Sequence, residues 1–211
     1  MLSQLFAWVG NLMTTQKHSV VLGAGLMGRL LAHSLARLGH RVDVYEAQGP
    51  DAQGAAARVA AAMLAPLAES AITELPVVRM GQHALNRWPE LLEQLQQPVY
   101  FQQNGTLIVW HRQDAGEAQR FAHLLARTQN QLPSLPSLQT LGNKELAAKE
   151  PALQDRFQNA LYLPDEGQLD NRELLASLLD SLQTQKVSLH WNTAKAPEDF
   201  SPGSADQPDW V

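Results

Sequence analysis

Across 211 residues, hydrophobic types make up 45% and charged types 18%, a core-forming composition that excludes a disordered chain. The formal net charge is −5 and the 16 lysines and arginines are scattered, so no basic stripe suits a nucleic-acid backbone. With no cysteine at all, disulfides, thiolate nucleophiles, zinc ribbons and iron–sulfur clusters are excluded, and a reducing cytoplasm is the expected location.

The first twelve residues, MLSQLFAWVGNL, lack the basic start, long apolar stretch and small-residue cleavage site of a signal peptide. They are also too short to span a bilayer. They read as an extension, with Met13 as the expected start. No other apolar run reaches transmembrane length, and no membrane partner is expected.

His18-Ser-Val-Val-Leu22 predicts a short buried strand that runs into a glycine cluster. Leu26, Met27, Leu30, Leu31, Leu35 and Leu38 then recur at helical spacing, a stripe expected to face the core, and Gly39 stops the helix. Arg41-Val-Asp-Val-Tyr45 predicts a second strand with Val42 and Val44 on one face. Strand, helix and strand fit the span of one βαβ unit.

Residues 47–62 read as a Gly- and Ala-rich loop leading to Met63-Leu-Ala-Pro66. Helical patterns cover 71–97, and Tyr100–Trp110 predicts one or two strands with a turn or bend at Asn104-Gly105. A polar-faced helix at 115–129, a loop at 132–137, a short helix at 143–149 before Pro151 and an extended stretch at Leu161–Leu163 follow. Asp170 and Glu173 have the spacing of an N-cap and its reciprocal partner before Leu174, Leu175, Leu178 and Leu179. Val187–Trp191 predicts another strand, and prolines keep the segment from Ala196 irregular as far as Trp210.

The chemistry lies in Gly23-Ala-Gly25-Leu-Met-Gly28, a G-x-G-x-x-G between a strand and a helix. Gly23 permits the tight turn, Gly25 lets backbone approach a pyrophosphate, and Gly28 allows close packing of helix on strand. The free N–H groups at the helix start then face the anion. Glu46 closes the second strand, where a carboxylate can accept hydrogen bonds from both ribose hydroxyls of an adenosine and disfavours a 2′-phosphate. These residues specify an adenine dinucleotide without saying which.

Other candidates carry less. Arg58, Arg79, Arg87 and Arg112 read as solvated surface arginines. The histidines at 18, 33, 40, 83, 111, 123 and 190 read as scattered, and no metal is expected.

The string Gly-Ala-Gly-Leu-Met-Gly resembles the opening of NAD-dependent hydroxyacyl-CoA and hydroxyacid dehydrogenases, which leaves a dehydrogenase as one alternative. Downstream, Ala60-Ala-Ala-Met-Leu-Ala-Pro66 looks like the segment of D-amino-acid-oxidase-like flavoproteins that passes beneath the flavin. Gln103-Asn-Gly-Thr-Leu-Ile-Val109, Leu146–Leu153 and Ala160-Leu-Tyr-Leu-Pro-Asp-Glu-Gly-Gln-Leu-Asp170 continue the likeness in order. From about residue 18 to 195 the chain resembles the FAD-dependent glycine oxidase and D-amino-acid oxidase family, the thiamine-pathway glycine oxidases in particular.

That resemblance implies an α/β fold: a Rossmann-like FAD-binding βαβ domain with an inserted antiparallel-sheet portion of a substrate domain. The implied boundaries are an extension at 1–12, the FAD-binding unit and following helices at 13–97, substrate-domain sheet and helices at 98–170, and a return to the FAD-binding domain at 171–211. The C-terminal part of the family fold would be absent, and with it the arginine and aromatic residues that grip the substrate carboxylate. The resemblance implies Leu26 and Met27 against the pyrophosphate, Glu46 and Ala47 at the adenosine ribose, Ala61, Ala62 and Met63 along the flavin, and backbone near Lys195 at the adenine.

The implied reaction is hydride transfer from the α-carbon of an amino acid or amine to the flavin, with release of peroxide. A homo-oligomer or a complementing C-terminal chain is the implied partner, and a non-catalytic nucleotide-binding fragment is a further alternative. Two departures bear on cofactor binding. The family commonly has glycine where Ala62 stands, and hydroxyl residues where Ala56 and Ala57 stand.

Overall fold

The computed structural model describes residues 16–200 and 207–211. The expected extension and the start at Met13 lie outside the described residues.

The described residues open with β1 (His18–Leu22), α1 (Leu26–Arg37) and β2 (Arg41–Tyr45), with Gly39 at φ +86° ending the helix. Next come the single helical turn α2 (Ala56–Val59) and the short strand β3 (Met63–Leu64), so the expected loop at 47–62 contains a turn of helix. After α3 (Leu75–Leu92), β4 (Phe101–Gln102) and β5 (Thr106–Val109) flank the bend at Gly105, whose φ is +86°. The remaining elements are α4 (Ala115–Gln131), β6 (Gln139–Gly142), α5 (Asn143–Lys149), β7 (Asn159–Leu163), β8 (Gly167–Leu169), α6 (Asn171–Thr184) and β9 (Ser188–His190). α6 begins directly after Asp170, at the place where the Asp170–Glu173 spacing set it.

The residues fall into two compact units. One comprises the described residues up to Ala60, Leu95–Pro98 and the described residues from Asn171 onward; the other comprises Ala61–Gln94 and Val99–Asp170.

The first unit is built on a parallel sheet of order β1-β2-β9. Ser19 makes a parallel bridge to Trp210 on the free side of β1, where the Val20 N–H donates to the Trp210 carbonyl at 2.8 Å. Val21, Ala24, Ala32, Val42, Val44, Leu182 and Val187 form its core. Of the expected leucine stripe of α1, Leu35 packs against this core, but the stripe is not the most buried face. Met27, Leu31 and Leu38 are exposed, and the buried residues are Arg29, Ala32 and His33. A helix that crosses its strands closely meets them through small side chains, so Ala32 and Gly28 take positions that leucines would overfill.

The second unit holds two antiparallel sheets, of order β3-β8-β4 and β5-β7-β6. Leu107 faces Tyr162 and Leu141 faces Ala160 across β7, the central strand of the second sheet. Leu67, Val78, Leu125, Leu132, Leu135 and Leu163 make one core, and Leu141, Leu146 and Ala160 a smaller one. The sequence grouped residues 13–97 together, whereas Ala61–Gln94 sits in this antiparallel unit. The cause is packing: Val78 of α3 is buried against Leu67, Leu125 and Leu163.

Candidate functional site

The glycine turn is held by its own backbone. Gly23 has φ +94°, a conformation that disfavours a side chain, and its N–H donates to the Tyr45 carbonyl at 2.8 Å. That bond ties the end of β1 to the end of β2. Gly25 stands at the start of α1 in an extended conformation, and no side chain caps the helix. The orphan amides of the first turn are therefore left for an anion.

The three glycines have different reasons to be glycine. A Cβ on Gly28 would lie 1.9 Å from the Gly23 carbonyl oxygen, so helix and turn touch there. A Cβ on Gly25 would meet no protein atom closer than the Ala55 Cβ at 3.7 Å. The protein's own packing does not demand glycine at 25; the free space there suits close approach of a pyrophosphate.

Glu46 is joined to the turn directly. Its Oε2 accepts the Ala24 N–H at 2.7 Å and its Oε1 accepts the Gln48 N–H at 2.9 Å, so each oxygen keeps a lone pair for a further donor. The backbone of Glu46 is fixed on both sides: its N–H donates to the His190 carbonyl at 3.0 Å, and its carbonyl accepts the Thr193 N–H at 2.8 Å. The Asn192 N–H donates to the Gln48 carbonyl at 3.0 Å. The structure thus gathers Gly23, Gly25, Gly28 and Glu46, with Leu26 half-buried and Met27 and Ala47 exposed beside them. Lys195, also exposed, follows the segment bonded to residues 46–48 by two positions.

Ala61, Ala62 and Met63 belong to the other unit. Met63 is exposed and pairs with Gln168 in the β3–β8 ladder, and the Ala62 carbonyl accepts the Leu169 N–H at 3.3 Å. Ala62 has φ +55°, the left-handed region that favours glycine, which is the residue the sequence resemblance implies there.

Three features escaped the sequence reading. Arg29 is 2% exposed, and its guanidinium donates to the carbonyls of Ala24 at 2.7 Å, Leu175 at 2.7 Å and Pro50 at 2.6 Å. Burial lowers its pKa, and Glu46 and Asp51 push the other way. Asn171, at the head of α6, donates through Nδ2 to the Ala57 carbonyl and to the Ala60 carbonyl, the latter at 2.7 Å, which staples α2 in place.

Finally, the histidines are not all scattered. His18 Nε2 and His190 Nε2 meet the two oxygens of Asp43 at 2.7 and 2.8 Å, linking all three strands of the parallel sheet. Arg41 donates to His18 Nδ1 at 2.9 Å, which leaves the ring proton on Nε2, toward Asp43. Burial pushes the Asp43 carboxyl up, but the bonds from His190 and His18 together hold it below the usual range. In the other unit Glu166 is also buried; its Oε1 accepts the Leu67 and Ala68 N–H groups at 3.0 and 2.9 Å, and burial raises its pKa. Arg79, Arg87 and Arg112 are exposed and Arg58 is half-buried. Among the described residues no group of three or more His, Asp or Glu side chains is placed to hold a metal.

The geometry fits an ADP-bearing cofactor, and comparison with known proteins names the class. The family model for FAD dependent oxidoreductases matches residues 18–199. A protein named as the thiamine biosynthesis oxidoreductase ThiO of Rhizobium etli is 35% identical over 170 residues, 81% of this chain and 47% of that protein. The glycine oxidase of Bacillus cereus superposes with a TM-score of 0.70 at 21% identity, over 85% of this chain and 47% of that one. The FAD-bound L-alpha-glycerophosphate oxidase of Mycoplasma pneumoniae gives 0.64 at 15% identity, over 93% of this chain and 52% of its own. The chain spans about half the length of these proteins. With residues 18–199 matched by one family model, the chain belongs to the FAD-dependent oxidoreductase family.

Proposed function

We propose that this chain holds FAD and serves the flavin-dependent oxidation of a small amino acid or amine, glycine foremost. The observation that carries the reading is the bond from the Ala24 N–H to Glu46, which sets the ribose acceptor beside the diphosphate turn. In this reading the amides at Gly25–Gly28 hold the diphosphate, with Leu26 and Met27 against it. Glu46 accepts the ribose hydroxyls, Ala47 lies beside the sugar, and backbone at Lys195 meets the adenine. Ala61, Ala62 and Met63 line the flavin. Once bound, the flavin supplies an acceptor for the electron pair of the substrate C–H bond; the protein orients the partners and excludes water.

The relatives' names support the substrate class, since ThiO and the glycine oxidase are among them. The full catalytic site, in this reading, draws on a C-terminal complement, supplied within a longer chain, by a second chain or within a homo-oligomer. We also place the protein in the cytoplasm, which the absence of cysteine supports. No described helix is long and apolar enough to cross a membrane.

The test is a titration of the purified protein with FAD, followed by flavin absorbance and fluorescence, with NADH in parallel. Saturable binding of FAD and not NADH supports the reading. Binding of NADH alone would return the chain to a dehydrogenase. Peroxide formation from glycine or sarcosine, with the complement present, tests the substrate class.

A further inference from the structure

Arg29 is the bulkiest of the almost fully buried side chains among the described residues. A buried cation is costly unless its charge is met. Here its three hydrogen bonds go to neutral main-chain carbonyls, those of Ala24, Leu175 and Pro50, and the Trp191 ring lies 6.0 Å from its Cζ. Among the described residues no carboxylate is in contact with it; Glu46 and Asp51 act on it from further away. Three carbonyls take three of its five N–H donors, and its charge meets the face of the Trp191 ring but no carboxylate.

One of those carbonyls belongs to the glycine turn. Ala24 is held at both ends of its peptide neighbourhood: its carbonyl by Arg29 Nε and its N–H by Glu46 Oε2, each at 2.7 Å. The orientation of the turn is therefore set by one cation and one anion on opposite sides. Resting on the FAD reading above, we propose that Arg29 is a positioning residue of the nucleotide cleft. It clamps the Ala24 carbonyl so that the turn's amides face the diphosphate, and it supplies a buried positive charge that favours an anionic ligand over a neutral one. A bland strut would need the hydrogen bonds alone. The charge distinguishes the two roles, because a field in a low-dielectric interior reaches beyond contact.

The experiment compares adenosine, AMP and ADP on the full chain and on Arg29→Gln and Arg29→Lys, with affinities from NMR titration and melting temperatures measured beside them. Gln keeps some hydrogen bonding without charge; Lys keeps charge without the fork. The expected result is that Arg29→Gln weakens ADP by about tenfold or more and adenosine by less than about twofold. Arg29→Lys should recover most of the ADP affinity although it melts as low as Arg29→Gln. Equal loss for adenosine and ADP, or no recovery with Lys, overturns the proposal.

Should both variants fail to fold, the Nε–H resonance of Arg29 in the unaltered protein decides. It should move on adding ADP and stay in place with adenosine, and a resonance indifferent to ADP overturns the proposal. A protein that binds neither ADP nor FAD would instead remove the FAD reading itself.

Discussion

The carbonyl oxygen of Gly23 stands 1.9 Å from the point where a Cβ on Gly28 would begin. Because the obstacle is backbone, no rotamer relieves it. Gly28→Ala is expected to cost about 3 kcal/mol of stability with or without cofactor. Gly25→Ala has room, with 3.7 Å to the nearest protein atom, and should cost under about 1 kcal/mol in the free protein. It should nevertheless impair binding of ADP and FAD strongly. Urea unfolding and cofactor titration of the two variants check the contrast; equal unfolding midpoints would refute it.

Glu46 holds two backbone N–H groups, one on each oxygen. In Glu46→Gln one of them faces an amide NH2 instead. A loss of about 1 to 3 kcal/mol in stability is expected. ADP should bind more weakly than to the parent protein, as measured by calorimetry. Unchanged ADP affinity would detach Glu46 from the ribose.

Ala62 sits at φ +55°. The left-handed conformation costs an L-residue about 1 to 2 kcal/mol, of which glycine's freer unfolded chain takes back about 0.4 to 1. Ala62→Gly should therefore raise stability by about 0.5 to 1 kcal/mol in urea titration. In our reading it also strengthens FAD binding by removing a methyl beside the flavin. A lower unfolding midpoint would contradict the first expectation.

Two carboxylates give opposite pH signatures. Asp43 is held below its ordinary range by His190 and His18 in spite of burial, so its contribution is complete above the unfolded-state value. That contribution is lost as pH falls through the folded-state value. Glu166 is raised by burial, so between the ordinary glutamate range and its folded value the folded chain carries the extra proton. Stability therefore falls as pH rises across that window. Unfolding midpoints from about pH 3 to about pH 7 should show Asp43→Asn flattening the acid limb and Glu166→Gln gaining on the parent as pH rises. Parallel curves for parent and variants would disprove both assignments.

The opening βαβ unit was legible because its glycines, its valine alternation and its acidic strand end are each tied to a backbone geometry. The buried face of α1 was not. Arg29, Ala32, His33 and Ala36 share the i, i+3, i+4, i+7 pattern of a core face, but a charged residue and a histidine on it gave way to the more obvious leucines. β6 and β8 were missed for a different reason: Gln139-Thr-Leu-Gly142 offers one large apolar side chain, and Gly167-Gln-Leu169 is too short to show alternation. Asn171 acts on α2 from far along the chain, and no local pattern announces such a bond.

The Asp43 carboxylate and the His190 ring that completes its pair lie 147 residues apart in sequence, with the entire antiparallel unit strung between them. The backbone of Glu46 likewise waits for His190 and Thr193. A chain carrying only the first strand, helix and strand would thus have the glycine turn and its bond to Glu46 but lack the bonds that His190 and Thr193 make to the Glu46 backbone. Closing so long a loop is entropically slow. The acidic end of the second strand is therefore braced only by contacts that close a loop of this length, and in our reading a bound dinucleotide would favour that closure by holding the returning segment.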